Sequence, residues 1–140
     1  MSPLDRFIAE HDISRLITRF ALLNDAGDWK AVAAMFAADA SFVRPAGGDA
    51  IVGRDAILKS FESRPARKSV HLITNILVDV KTHNEATARC TLLLYAAPSG
   101  EASATSPGLI GGFRDRLVRG AEDWLFAERI GFLDLKVDFK

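Results

Sequence analysis

Few side chains in this sequence combine a useful pKa with an apolar setting, and His71 is foremost among them. It lies in Val70-His71-Leu72-Ile73-Thr74-Asn75, where alternation by two places it on one face with Ile73, Asn75 and Leu77. A histidine there can serve as a general base, because its unperturbed pKa of about 6.5 is close to working pH. The other reading is a core histidine satisfied by a backbone carbonyl. A base histidine works better with a carboxylate on its second ring nitrogen, which fixes the tautomer and stabilises the imidazolium. Asp25 is the candidate, because Leu22, Leu23 and Ala26 surround it at the end of an apolar-striped segment. On an ideal helix it falls about 140° from the centre of the Ile13–Phe20 stripe. It therefore reaches the interior only if the helix ends or bends there, or if a cavity lies on that flank. Otherwise it is a solvated turn carboxylate.

The remaining chemistry-bearing residues read as structural. His11 sits in a helical stretch and His83 in a polar turn, both solvated. Arg64, Arg67 and Lys68 form a basic cluster in a loop exposed to water. Arg114, Arg116 and Arg119, interrupted by Asp115, read as an exposed sheet face. Cys90 stands among apolar residues as an inert core thiol. Gly47-Gly48 and Gly111-Gly112 lack the Lys-Ser/Thr and helix of a phosphate loop. No serine elbow appears, and no His/Asp/Glu set has metal-ligand spacing, so no metal is expected.

The elements that must position these residues follow from a single change of period. Up to about residue 63 the pattern is helical. Ile13, Leu16, Ile17, Phe20 and Leu23 recur at three- and four-residue steps on a first helix, with Pro3 in its first turn and its end near Asn24–Gly27. Asp28 is the expected N-cap of a second helix, Trp29 to Phe36. Asp39 to Val43 reads as a short strand, and Gly53-Arg54-Asp55 opens a helix carrying Ile57, Leu58 and Phe61. After Pro65 the period is two. Strands are expected over Ser69–Lys81, Ala86–Ala97, Gly108–Arg119 and Trp124–Val137, with Pro98–Pro107 a loop. Helices followed by a strand meander make an α+β layout, with helices on one face of an antiparallel sheet.

Composition bounds the function. The 140 residues fit one domain, with 49% hydrophobic and 26% charged residues. Lys+Arg and Asp+Glu both number 18, and a balance of zero argues against nucleic acid as a partner. One cysteine permits no internal disulfide. The charged first dozen residues do not read as a signal peptide, and no run is long enough to span a bilayer, so a cytoplasmic protein is expected. The first long strand reads as apolar on both sides, with Val70, Leu72, Ile76, Val78 and Val80 opposite the His71 face. One face must meet the helices or a cavity. The other is expected to meet another subunit.

Several runs together carry a family resemblance. Asn24-Asp25-Ala26-Gly27-Asp28-Trp29, Met35-Phe36-Ala37-Ala38-Asp39-Ala40-Ser41-Phe42, Gly53-Arg54-Asp55-Ala56-Ile57, the His71 segment and Trp124-Leu125-Phe126 resemble the SnoaL-like branch of the NTF2-like superfamily. The resemblance implies a cone-shaped α+β barrel, with N-terminal helices closing a curved sheet around a deep pocket. Within the superfamily the chain looks most like scytalone dehydratase and hexachlorocyclohexane dehydrochlorinase. Both eliminate a small molecule from a ring without a cofactor, through a His–Asp dyad. Asp25 and His71 match that dyad, and Arg129, five residues after Trp124, resembles the pocket arginine of the dehydrochlorinase. Asn24 stands where the dehydratase has a tyrosine, and Arg44, before Pro45, where ketosteroid isomerase has its base aspartate. The resemblance thus implies a cofactor-independent lyase acting on a small, largely apolar cyclic substrate. Arg129, Asn75 and Asn24 are the candidates for binding it or stabilising charge. It implies a homo-oligomer, trimer or dimer. The alternatives are an isomerase or polyketide cyclase with the same pocket, and a non-catalytic binding or assembly module such as a dioxygenase β-type subunit.

Overall fold

The computed structural model describes residues 1–104 and 108–138. Helix α1 runs from Pro3 to Ala26. Ser2 caps it by accepting from the Asp5 amide at Oγ, the Asp5 carboxylate accepts from the Ser2 amide, and Gly27 ends it in the left-handed region at φ 71°. Asp28 caps α2, Trp29–Ala34, by accepting from the Ala31 amide. The expected continuation of α2 to Phe36 does not occur. Strand β1 already begins at Phe36 and runs to Val43, because Phe36 and Phe42 pair in parallel with Phe126 and Arg129 of the last strand. A two-residue strand absent from the sequence reading, β2 (Ile51–Val52), pairs with β1. Helix α3, Arg54–Glu62, buries Ile57 and Phe61.

The meander follows as β3 (Arg67–Val80), β4 (Glu85–Pro98), β5 (Gly108–Arg119) and β6 (Trp124–Val137). Of the expected 98–107 loop, residues 105–107 lie outside the described residues. The sheet order is β2-β1-β6-β5-β4-β3, antiparallel except for β1 on β6, and α1 packs along β3. This is the expected α+β layout. Phe20 of α1 is the hub of the core, meeting the rings of Phe36, Phe42, Phe61, Phe113 and Phe126 edge-on at 5.8–6.3 Å.

Strand β3 corrects the expected alternation. A bulge lies between Thr74 and Leu77, with Asn75 at φ 53°. An extra residue shifts the phase of a strand by one. Before the bulge Ser69, His71 and Ile73 face inward; after it Ile76, Val78 and Val80 do, and Leu77 joins exposed Val70 and Leu72 outside. His71 therefore shares its face with Ile76 and Val80, not with Leu77. Asn tolerates the left-handed region, whereas a β-branched residue does not. Asn75→Val is expected to cost about 1–2 kcal/mol in urea unfolding, while Asn75→Gly stays within about 0.5 kcal/mol of the parent.

Candidate active site

Strand β3 is a sheet edge, so every second backbone N–H on it lacks a strand partner. The His71 amide is one of these, and it donates to Asp25 Oδ2 at 2.9 Å. Asp25 Oδ1 accepts from Ser69 Oγ at 2.8 Å and meets His71 Nδ1. One carboxylate thus completes the sheet edge and holds the imidazole ring. Two of the expected conditions hold: α1 ends at Ala26, one residue past Asp25, and a crevice lies on that flank. Asp25 leaves α1 on its flank, and β3 passes along that flank. The side chains are nearly shielded, His71 9% and Asp25 20% exposed. Burial alone would raise the Asp25 pKa. The bonds from the His71 ring and amide and from Ser69, with the charge of a protonated His71, outweigh it and hold the carboxyl below its usual range.

His71 lines a cavity of about 400 Å³. Phe20, Phe42, Leu92 and Phe113 form its buried apolar end, with Leu94 and Leu109 on the sheet side. Asn24, Arg44, Arg64 and Arg67 also line it, with Pro45, Ala46 and Pro65. With Nδ1 held by Asp25, Nε2 is the ring nitrogen left for a ligand. Behind the dyad a second crevice of about 290 Å³ is lined by Asn24, Asp25, Trp29, Arg64, Arg67 and Ser69. A third depression of about 420 Å³, beside the middle of α1, mixes Asp12, Arg15, Arg19, Glu122 and Asp123 and holds no histidine.

Of the other expected site residues, Asn24 lines the cavity and Asn75 and Arg129 do not. Asn24 is buried and sits on the cavity wall. Asn75 is exposed at the bulge, its amide 3.4 Å from Thr91 Oγ1, outside the cavity. Arg129 does not reach the pocket surface. It is fully buried, its guanidinium packed 3.8–4.4 Å from the ring centres of Phe113, Phe20 and Phe126. Two of those rings, Phe20 and Phe113, line the cavity and stand between it and the arginine. Arg129 Nε pairs with Asp115 Oδ1 at 3.1 Å, and Nη2 lies 3.8 Å from Cys90 Sγ. Burial pushes the Asp115 carboxyl up to about 6 against the pull of Arg129. Burial also raises the Cys90 thiol, as expected of an inert core cysteine.

Ser69, which bonds Asp25, was not singled out in the sequence, and Asp115, expected on an exposed face, is buried beside Arg129; each carried a signal. Ser69 stands two residues before His71 and so on the same face. Asp115 alternates with Phe113 and Leu117, both buried, so it points inward between the exposed Arg114 and Arg116.

Among the described residues no helix is long and apolar enough to cross a membrane. No curated protein matches the sequence. Solved structures do. A scytalone dehydratase-like protein from Novosphingobium aromaticivorans superposes with a TM-score of 0.86 at 22% identity, over 99% of this chain and 93% of that one. A type 2 hexachlorocyclohexane dehydrochlorinase gives 0.85 at 15% identity, over 99% and 94%. A Mycobacterium tuberculosis protein of unknown function gives 0.80 at 26% identity, over 96% and 77%. The described fold is that of these NTF2-like proteins. The SnoaL-like domain family model matches residues 5–130, nearly the whole chain, and the protein belongs to that SnoaL-like family.

Proposed function

We propose that the protein is a cofactor-independent lyase that eliminates a small leaving group from a largely apolar cyclic compound, with His71 as base and Asp25 as its orienting partner. The contact of Asp25 with His71 Nδ1 on the wall of the apolar cavity carries this reading. Asp25 accepts the hydrogen bond from Nδ1–H, which leaves the Nε2 lone pair facing the ligand. Nε2 takes a proton from carbon. The C–H electron pair becomes the new double bond, and hydroxide or halide departs from the adjacent carbon with its own bonding pair. The ionised Asp25 stabilises the imidazolium meanwhile. No carboxyl or phenol lies among the described residues lining the cavity. A departing hydroxyl must therefore recover its proton from His71, whereas a halide needs none. The same observation favours one second reading, an isomerase in which His71 returns the proton to another carbon. The test is a screen of cyclic β-hydroxy and β-halo compounds with analysis for water loss, halide release or a shifted double bond. No turnover of any of them by the pure protein overturns the enzyme reading and leaves a binding module.

The protein also acts, in this reading, as a homo-oligomer. On the outer face of the sheet Leu72, Leu93, Ile110 and Leu135 form one row across β3, β4, β5 and β6. Val70, Leu72, Leu77 and Leu135 are about half exposed or more, a patch that monomers seldom leave bare. Light scattering at micromolar concentration is expected to give two or three times the 15.2 kDa chain mass. The double variant Leu72→Glu, Leu135→Glu is expected to give the single chain. A clean 15.2 kDa species for the parent overturns the assembly.

A further inference from the structure

Arg64 and Arg67, expected together in a solvated loop, lie instead in the bend after α3 and at the first position of β3. With Arg44, from the end of β1, these two arginines line the same cavity as His71. Three guanidiniums meet there in a chain whose charges balance, 18 against 18. Among the described residues none of the three lies within 4 Å of a carboxylate. The acid that shares the rear crevice with Arg64 and Arg67 is Asp25, already engaged by His71 and Ser69.

Two of the three arginines are held in place, while Arg67 is exposed. Arg44 Nη2 donates to the Ser60 carbonyl at 3.0 Å and meets Ser60 Oγ, while its Nε is buried without a partner. The Arg64 guanidinium lies 4.4 Å over the Phe61 ring. Burial, then the charges of Arg44 and Arg67, draw the Arg64 pKa down to about 10. A fold that collects like charges beside an apolar cavity, with no counter-charge of its own, leaves the counter-charge to a ligand. Arginine forks suit planar oxyanions, which they bind through paired N–H bonds.

We propose that the ligand of this cavity is an amphiphile, a ring-sized apolar body bearing a carboxylate or phosphate that Arg44, Arg64 and Arg67 hold at the solvent end. The apolar body then reaches past His71 toward Phe113. Arg67 and His71 lie on one strand face four residues apart, roughly 13 Å between their backbones. With the arginine side chain folded back toward the cavity, a ring and a short acidic arm span that gap. The assignment rests on the lyase or isomerase reading only for what happens at His71. The anion subsite itself is a binding statement and is tested as one.

The test is calorimetric titration of the whole protein with 3-phenylpropionate, its neutral amide and phenyl phosphate. At low salt at least one of the anions is expected to bind about 10-fold or more tighter than the amide, the range of a charge-assisted hydrogen-bond pair. Whichever anion wins names the group. Arg64→Gln with Arg67→Gln should bring the anions down to the amide's affinity and leave the amide unchanged. Arg67 is exposed, so Arg67→Gln alone keeps the fold and should lose about 3–5-fold for the anion. The preference should persist in His71→Ala, which tests the dyad, so the two readings fail separately. Equal affinity for anion and amide, an unchanged preference in Arg67→Gln, or no binding of any probe up to about 10 mM overturns the proposal.

Discussion

His71→Ala is expected to lower kcat by about 10²–10⁴-fold on whichever substrate the screen yields, the usual worth of a general base. Asp25→Asn should cost nearly as much, for a reason specific to this geometry. Asp25 Oδ2 serves the His71 backbone N–H, a donor that cannot change its role. The Asn carbonyl must therefore take that side, which leaves its NH₂ against His71 Nδ1 and Ser69 Oγ. An NH₂ there donates to Nδ1 and moves the ring proton to Nε2, the nitrogen that has to be bare. The imidazole stays in place as the wrong tautomer. The double variant should be little worse than the worse single one, because the pair acts as a unit. Ser69→Ala, which removes one donor to Asp25, should cost only several-fold. His71→Ala leaves the backbone and Ser69 bonds to Asp25 intact, so folding survives. Stopped-flow or product assays of the four variants decide the matter. Full activity in His71→Ala, with the fold intact by circular dichroism, refutes the dyad.

Asp25 shows why the site was half legible in the sequence. The residue types and the family-like run around Asn24–Trp29 singled out the pair, yet helical geometry alone put Asp25 well off the apolar stripe. What the periodicity of one helix cannot display is the position of a neighbouring sheet edge. Strand β3 passes the flank of α1 and offers an unpaired amide, so a carboxylate off the stripe is the one that fits. The meander was legible because its strands keep period two, and β5 and β6 have the expected bounds. The Asn75 bulge was not, since a phase shift inside an apolar run leaves both faces apolar on paper. The early start of β1 was hidden for a related reason. Phe36-Ala37-Ala38 has no strand signal of its own and is extended by pairing with β6, nearly 90 residues away in the chain. Arg129 was placed by resemblance, and three phenylalanine rings and an unforeseen Asp115 enclose it.

That enclosure sets the largest stability effect expected of a single change. Arg129→Met, close in length and without charge, keeps the packing against Phe20, Phe113 and Phe126 but leaves Asp115 buried without its partner. Breaking a buried pair from one side costs about 3–5 kcal/mol, which for a domain of this size lowers Tm by roughly 10–20 °C. The pH dependence identifies the cause. In the parent the Asp115 carboxyl is held up near 6, above its unfolded value, so its proton favours the folded state. Its contribution is therefore greatest at low pH and is lost as pH rises toward and through 6. Asp25 has the opposite sign. Its folded pKa is depressed, so its contribution is present above the unfolded carboxylate range and is lost as pH falls through the folded value. The two windows meet at the ordinary carboxylate value of 3.8, so these two groups place the parent's maximum near there. Removing Arg129 takes away the one influence that lowers the Asp115 pKa, so the loss starts from the same unfolded value in both proteins but continues to higher pH in the variant. Arg129→Met should then be most damaging around pH 8 and partly recovered near pH 5, and Arg129→Met with Asp115→Leu should recover most of the loss at both. Urea unfolding at the two pH values measures this. An Arg129→Met variant within about 1 kcal/mol of the parent at pH 8 would mean that the aromatic rings, not the ion pair, hold this part of the core.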